Sequence, residues 1–351
     1  MSGKKRILLT GVGAPGVQGT LFALRQLDVH ITGTDTNEEA VGRYLCDAFA
    51  VIPPARDTNA YLKAMLSLCT TQEIAVVVPQ NTAELLVLAE HKADFVAIGT
   101  HVLISSKEAI EHANNKFNLL EEARQLGIPT GRYTLCSTFK QLEREVAERR
   151  ARGENVVVKP PCGNGSRGVR VIIDSNQRDR KHDFYTQKPS ALYCTIDELH
   201  DILGDEFPEL LVMDYLEGDE YTVDVLRTKT HFLALPRKRE SMQSGITFRA
   251  SLEQNEAIIT ACRQLADTIG LEYCFGFQFK KDAHGKPVLL ECNPRVQGTM
   301  VMSALAGGNI IAASVLDVLG EPIPPMEIDW NTRLIRYWGA IGINESTMVK
   351  I

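Results

Sequence analysis

A segment in the last third of the chain carries side chains that could hold a metal ion. Residues 274–295 read CFGFQFKKDAHGKPVLLECNPR, two strand-like stretches on either side of the pair 284–285. If that pair forms a two-residue hairpin loop, Gln278 lies opposite Glu291, and strand alternation puts Asn293 on the face of Glu291. Hard oxygen donors of this kind suit Mg²⁺. The simpler alternative is a polar sheet face with a surface hairpin.

An earlier glycine-rich stretch has the composition of a phosphate-binding loop. In VVVKPPCGNGSRGVRV, Lys159 ends a strand, and small residues follow whose backbone N–H groups could face phosphates: Gly163, Gly165, Ser166 and Gly168. The lysine precedes the glycines, so this is not a Walker A motif. A lysine before a β-hairpin is also common without such a site. Further along the chain, Arg295 is well placed to meet phosphate charge.

A third stretch, ELLVMDYLEGDEYTVDV, runs from a strand into a loop and then into another strand. An acidic residue, Glu220, stands just before the second strand. This order is typical of an adenine-binding hinge with a carboxylate for the ribose hydroxyls. The alternative is that Glu220 is an ordinary solvated turn residue.

The amino-terminal region offers a rival nucleotide site. Gly11, Gly13 and Gly16 fit the G-x-G-x-x-G spacing after a strand, and Asp35 ends the next strand. This pattern is typical of dinucleotide binding, but any doubly wound domain needs a tight turn here. Pro15 removes one backbone N–H from the loop, which disfavours pyrophosphate binding.

The elements that position these motifs follow from hydrophobic patterning. Short apolar runs alternate with helical stretches over roughly the first 110 residues, which predicts a doubly wound parallel sheet. The pattern of residues 107–127 is helical, and the texture after residue 210 is antiparallel. The predicted fold class is therefore α/β followed by α+β.

Composition excludes some function classes. The 351 residues carry 38 Lys+Arg and 44 Asp+Glu, a net charge of −6, which argues against general nucleic-acid binding. No apolar run approaches the roughly 20 residues of a membrane span. The eight cysteines show no C-x-x-C pair and read as reduced thiols. We expect a cytoplasmic protein with no nucleic-acid or membrane partner.

Taken in order, the motifs resemble those of one known family. Lys116 before a helix, Lys159 with its glycine loop, the hinge with Glu220, FGFQF and ECNPRVQG follow one another as in the ATP-grasp superfamily. Within it, they resemble the carbamoyl-phosphate synthase large-subunit group. The resemblance covers nearly the whole chain, which corresponds to one ATP-grasp unit. It implies a preceding α/β domain that does not use its glycine loop for NAD.

The resemblance implies a role for each matching residue. Two lysines would contact ATP phosphates: Lys116 and Lys159. The phosphate lid would contain Gly165, Ser166 and Gly168. The nucleoside would meet Met213, Tyr215 and Leu216 at adenine and Glu220 at ribose. The ligands of Mg²⁺, with Mn²⁺ as a second option, would be Gln278, Glu291 and Asn293. The catalytic cations would be Lys159 and Arg295.

The resemblance also implies an organisation and a reaction. We predict a pre-ATP-grasp domain at 1–112, a lid subdomain at 113–212 and a subdomain with the metal site at 213–351. The predicted enzyme is a ligase that converts a small carboxylate into an acyl phosphate and couples it to an amine, releasing ADP and phosphate. Both substrates would be small molecules, and a homodimer is left open.

Other interpretations stay open at this point. One is a carboxyl phosphotransferase or carboxylating enzyme similar to carbamoyl-phosphate synthase. Others are an NAD(P)-dependent oxidoreductase and a non-catalytic nucleotide-binding regulator. Substrate contacts are expected from Glu84, at the carboxyl end of a parallel strand, and from Arg237 and Arg239.

Overall fold

The computed structural model describes residues 4–163, 165, 167–174, 180–186, 192–243, 245–343 and 348–350. Ser166, which the sequence assigns to the phosphate lid, lies outside the described residues. In the described part of the chain, no helix has the length and apolar character needed to cross a membrane.

Residues 4–114 form a parallel sheet covered by helices. Its strands are β1 (Lys5–Thr10), β2 (Val29–Asp35), β3 (Ala48–Val51), β4 (Val76–Val78) and β5 (His101–Val102). The helices are α1 (Val17–Leu24), α2 (Thr58–Thr71), α3 (Leu85–Glu90), α4 (Lys92–Ala97) and α5 (Lys107–Asn114).

The order of this sheet is β3-β2-β1-β4-β5, and its four strand pairings are parallel. Successive residues of β1 point to opposite faces, and both faces are buried: Ile7 and Leu9 belong to one core cluster and Leu8 to another. The predicted doubly wound parallel sheet is confirmed.

Residues 116–214 build a second sheet. Its strands are β6 (Tyr133–Thr138), β7 (Val156–Lys159), β8 (Arg170–Ile172), β9 (Tyr193–Cys194) and β10 (Glu206–Asp214), in the order β6-β10-β7-β8-β9. The helices are α6 (Lys116–Gln125), α7 (Phe139–Arg150), α8 (Arg180–Thr186) and α9 (Ile196–Leu203).

The helical pattern predicted for 107–127 forms two helices, because the chain is interrupted at Asn115. Asn115 has extended backbone angles (φ −89°, ψ 109°), and its side chain accepts hydrogen bonds from the N–H groups of Phe117 and Asn118. It therefore caps a new helix that begins at Lys116.

The remaining chain adds a six-stranded sheet. Its strands are β11 (Glu220–Arg227), β12 (Phe232–Gln243), β13 (Ile246–Leu252), β14 (Tyr273–Lys281), β15 (Pro287–Asn293) and β16 (Arg333–Ile335), in the order β15-β14-β11-β12-β13-β16. The helices are α10 (Glu256–Ile269), α11 (Val301–Leu305) and α12 (Ile310–Val318). A separate strand pair follows, β17 (Ile341–Ile343) with β18 (Met348–Lys350).

Between β14 and β15, the turn enclosed by Asp282 and Lys286 has three residues, not the two on which the predicted register depends. The N–H of Asp282 donates to the carbonyl of Lys286, and the N–H of Gly285 donates to the carbonyl of Asp282. Gly285 adopts the left-handed region (φ 77°), as in a type I turn closed by a glycine bulge. The predicted two-residue loop is therefore wrong, and the opposition of Gln278 and Glu291 no longer follows from it.

The chain divides into two compact units. The larger unit comprises residues 1–113, 220–278 and 292–351, and the smaller unit comprises residues 114–219 and 279–291. The three-segment organisation derived from the sequence stays a prediction.

Candidate active site

In the smaller unit, Lys116 contacts two other candidate site segments. Its ammonium Nζ lies 3.0 Å from the carbonyl oxygen of Gly163 and 3.7 Å from a carboxylate oxygen of Glu291. Lys116 is buried, whereas Glu291 is half-buried. The first predicted phosphate lysine, the glycine loop and the predicted metal carboxylate thus meet at one point.

Lys159 reaches the same strand. It ends β7 and is buried, and its Nζ donates to the carbonyl of Leu290 at 3.3 Å, next to Glu291. The N–H of Lys116 donates to Pro161 at 2.8 Å, which ties the start of α6 to the chain that follows Lys159. Two cations and one carboxylate therefore lie close together around the end of β15.

The glycine loop has the backbone freedom that the sequence predicts. Three glycines lie at positive φ: Gly163 (142°), Gly165 (62°) and Gly168 (75°). Its described residues from Cys162 to Gly168 are exposed. These conformations favour glycine, and exposed amides of such a loop are suited to phosphate oxygens.

The hinge follows β10. Met213 is buried in the sheet, paired with Val157 on one side and Tyr133 on the other. The N–H of Tyr215 donates to Asn155 at 2.8 Å, and the ammonium of Lys280 lies 5.0 Å from the Tyr215 ring centroid. Leu216 is half-buried. The segment thus has an aromatic ring and a hydrogen-bonded backbone, and its contact with adenine stays a prediction.

In the larger unit, Glu220 begins β11 and forms an ion pair with Arg239. Arg237 is also engaged: its side chain is fully buried and donates twice to Asp224 and once to Thr299. Both guanidinium groups thus contact neighbouring side chains of the protein. The predicted roles of Arg237 and Arg239 in substrate binding stay predictions.

Arg295 lies in a dense set of contacts within the larger unit. Its Nε donates to Thr82 at 2.8 Å, and Nη2 lies 3.4 Å from the amide oxygen of Asn293. Gln278 is half-buried on β14. Asn293 and Arg295, predicted as metal ligand and catalytic cation, are therefore in contact.

Two donors in the same loop region were not predicted. Gln297 Nε2 and Arg336 Nε are buried and find no hydrogen-bond acceptor among the described residues. Burial and the nearby charge of Arg237 lower the pKa of Arg336. Gln297 could have been found from its place in ECNPRVQG, but no local pattern indicates Arg336.

Glu84 is fully buried at the carboxyl end of the parallel sheet. It accepts hydrogen bonds from the hydroxyls of Thr10 and Tyr61 and from the N–H of Asn81. Burial raises the pKa of this carboxyl, against the opposing effect of the donors. Glu84 therefore organises the Asn81–Glu84 turn, and its substrate contact stays a prediction.

The loop from Gly11 to Gly16, which has the spacing of a dinucleotide-binding motif, is held by contacts within the larger unit. Asp35 accepts a hydrogen bond from the N–H of Gly13 at 2.7 Å. A Cβ on Gly16 would lie 2.2 Å from the Cα of Gly298, and Arg336 donates to the carbonyls of Pro15 and Gly298. These contacts account for the glycine spacing without a dinucleotide.

A charged cleft of about 450 Å³ in the smaller unit contains none of the predicted site residues. Two of its glutamates pair with arginines of the same cleft: Glu121 with Arg124, and Glu145 with Arg149. We therefore do not assign the chemistry to this cleft.

The donor set fits a hard cation and a nucleotide. In the smaller unit, Glu291 supplies a half-buried carboxylate, a ligand type that matches Mg²⁺. Gln278 and Asn293 belong to the larger unit, and their metal role stays a prediction. Two lysines beside an exposed glycine loop match phosphate groups.

Comparison with known proteins agrees with this geometry. Residues 206–335 match the family described as "ATP-grasp in the biosynthetic pathway with Ter operon", and residues 7–103 match "PylC-like, N-terminal domain". A carbamoyl phosphate synthase large chain from Rubrobacter xylanophilus is 29% identical over 232 residues, which are 64% of this chain and 21% of that protein. An uncharacterized protein, y4rH, from Sinorhizobium fredii is 25% identical over 202 residues, which are 54% of this chain and 38% of that protein. The chain thus spans well under half the length of both curated relatives.

Solved structures share the fold. An ADP complex of the N5-carboxyaminoimidazole ribonucleotide synthetase purK superposes with a TM-score of 0.68 at 13% identity, covering 93% of this chain and 79% of that chain. A biotin carboxylase from Campylobacter jejuni has a TM-score of 0.68 at 17% identity, covering 94% and 74%. The match at residues 206–335 and the shared fold agree with the resemblance to the ATP-grasp superfamily that the sequence predicts.

Proposed function

We propose that this chain is an ATP- and Mg²⁺-dependent ligase that activates a small carboxylate as an acyl phosphate and couples it to an amine. The observation that carries the proposal is the contact of Lys116 with the Gly163 carbonyl and with Glu291. Lys159 binds the carbonyl of Leu290, the residue before Glu291 in β15. A cluster of two ammonium groups, exposed loop amides and a carboxylate matches the triphosphate and metal of MgATP.

The chemistry proceeds in two transfers. A carboxylate oxygen attacks the γ-phosphorus, the bond from that phosphorus to its bridging oxygen breaks, and ADP leaves. The amine nitrogen then attacks the acyl carbon, phosphate leaves, and the nitrogen loses a proton. Mg²⁺, held by Gln278, Glu291 and Asn293, would neutralise phosphate charge.

The residues of this chain divide these tasks. Lys116 and Lys159 offset phosphate charge, the glycine loop covers the phosphates and excludes water, and Glu220 accepts ribose hydroxyls. Met213, Tyr215 and Leu216 contact adenine. Arg295 steadies the transferring phosphoryl group or the substrate carboxylate, and the orphan donors of Gln297 and Arg336 support an anionic substrate near the Arg295 loop.

A substrate screen tests the reaction. Carboxylates and amines are supplied in pairs with MgATP, ADP is measured, and products are identified by mass. We expect ADP release that requires both substrates and a product whose mass is that of the two joined with loss of water. ADP release that no substrate pair stimulates would contradict the ligase proposal.

A second candidate is a carboxyl phosphotransferase or carboxylating enzyme. The 29% identity to a carbamoyl phosphate synthase large chain favours it. It predicts that bicarbonate stimulates ADP release without any other carboxylate, which ¹³C-labelled bicarbonate and mass detection would reveal. The cytoplasmic location and the homodimer stay predictions.

A further inference from the structure

Glu220 and Arg239 face each other at the start of two paired strands. The antiparallel register of β11 and β12 places Tyr221 opposite Lys238 and Thr222 opposite Arg237. The same register places Glu220 opposite Arg239, and the guanidinium Nη1 donates to the Glu220 carboxylate. Opposed strand residues lie close enough for a direct charge-assisted pair.

The rest of the Arg239 guanidinium is fixed by other groups. Nε donates to the hydroxyl of Thr247 at 2.9 Å, and Nη2 donates to the carbonyl of Gly245 at 2.6 Å. Only 8% of the Arg239 side chain and 17% of the Glu220 side chain are exposed. Hydrogen bonds from all three nitrogens therefore fix the guanidinium group in one orientation.

The strand backbone contributes to this arrangement. The pairing of β12 with β13 is regular up to Arg239 and Ala250 and shifts between Arg239 and Ser241. Such bulges redirect side chains, and this one directly follows Arg239. Gly245, at positive φ (77°), presents the carbonyl that Arg239 binds.

We propose that Arg239 is a positioning residue for nucleotide recognition, which holds the Glu220 carboxylate in the orientation that accepts the ribose hydroxyls. This inference rests on the proposed nucleotide role of Glu220 and replaces the substrate contact expected of Arg239 from the sequence. A carboxylate that is already oriented loses less freedom when it binds, so its hydrogen bonds contribute more to affinity. Arg239 acts through Glu220 and needs no contact with the nucleotide.

The test compares nucleotides that differ only in ribose hydroxyls. Calorimetry measures the affinity of the full chain for MgADP and for its 2′-deoxy and 3′-deoxy forms. We expect the wild type to prefer ADP over at least one deoxy form by about tenfold or more, the effect of a hydrogen bond to a charged group. Glu220→Gln and Arg239→Gln should each remove most of this preference, and the double variant should remove no more.

Two further variants separate positioning from general stability. Thr247→Val removes one anchor of Arg239 without changing charge and should reduce the preference partly. Arg249→Gln makes the same charge change at an exposed position of β13 and should leave the preference intact.

The outcomes distinguish the two levels of the proposal. If Glu220→Gln keeps the wild-type preference, the ribose role of Glu220 is wrong and the inference falls with it. If Glu220→Gln removes the preference but Arg239→Gln keeps it, the positioning role alone is overturned. An equal loss of affinity for all three nucleotides in Arg239→Gln would likewise overturn it, because a merely structural role predicts that result.

Discussion

At the scale of single residues, the Glu291 carboxylate has two partners, the ammonium of Lys116 and the proposed Mg²⁺. Its carboxylate lies 3.7 Å from the ammonium of Lys116, and the proposal gives the same carboxylate to Mg²⁺. When the Glu291 carboxylate binds the metal, phosphate oxygens can replace it as the partner of the Lys116 ammonium. Metal and nucleotide binding should therefore support each other at this residue.

Glu291→Gln should lower Mg²⁺-dependent ADP formation by about 100-fold or more, because a neutral amide cannot offset the metal charge. The unfolding temperature should change little, since the side chain is half-buried and keeps its size. Glu209→Gln, an exposed change in the same unit, is the control. Near-normal Mg²⁺-dependent turnover in Glu291→Gln would exclude the metal role.

A second residue-scale prediction concerns Asp224 and Arg237, which are both fully buried. Asp224→Asn leaves a buried guanidinium without its charge partner and should lower the free energy of unfolding by about 3–5 kcal/mol. Asp267→Asn breaks the more exposed pair with Arg227 and should cost under about 1 kcal/mol. Denaturant titration measures both, and equal effects would refute this account of the buried pair.

At the scale of elements, the loop between β1 and α1 packs against the loop after β15. Gly16, the N-cap residue of α1, has ordinary angles (φ −92°, ψ −4°), so the backbone itself accepts alanine. The space around Gly16 does not accept an alanine side chain, because the added Cβ would lie 2.2 Å from the Cα of Gly298. The glycine is explained by a close approach of two backbones.

Gly16→Ala should therefore destabilise the chain by about 1–3 kcal/mol, the usual cost of overpacking. Gly131→Ala is the matched control, because the nearest atom of Asp214 lies 3.8 Å from the added Cβ. Thermal unfolding of both variants checks this. A Gly16→Ala protein as stable as the control would show that the loops can separate at little cost.

The glycine loop at 162–168 gives the second element-scale prediction. Its described residues are exposed, and Lys116 contacts it through the Gly163 carbonyl. Hydrogen exchange of this loop should slow when MgADP or a non-hydrolysable MgATP analogue is added, because its amides gain phosphate partners. The loop from Gly11 to Gly16 should respond less. Protection confined to that first loop would reject the ATP assignment.

At the scale of the whole molecule, local patterns predicted the fold class and motif order. The apolar run of β1 predicted a strand buried on both faces, and the lysine before the glycine loop marked Lys159. Longer-range features escaped prediction. The contact of Arg336 with the first loop joins residues 321 positions apart, and no local spacing encodes it.

Local geometry was also not predicted from the sequence where a segment fits two different backbone conformations. The pair 284–285 fits a two-residue turn by composition, yet Gly285 takes the left-handed position of a three-residue loop. Likewise, the helical pattern of 107–127 hides the cap at Asn115, because the pattern on either side continues across it.

The most direct test of the central claim is a calorimetric titration of the full chain with MgADP and, separately, with NADH. The account predicts saturable binding of MgADP with one site per chain, weakened at least about tenfold in Lys159→Gln, which removes one phosphate contact. It predicts no binding of NADH. Tight NADH binding together with no binding of ADP or ATP would contradict the assignment of this chain as an ATP-dependent ligase.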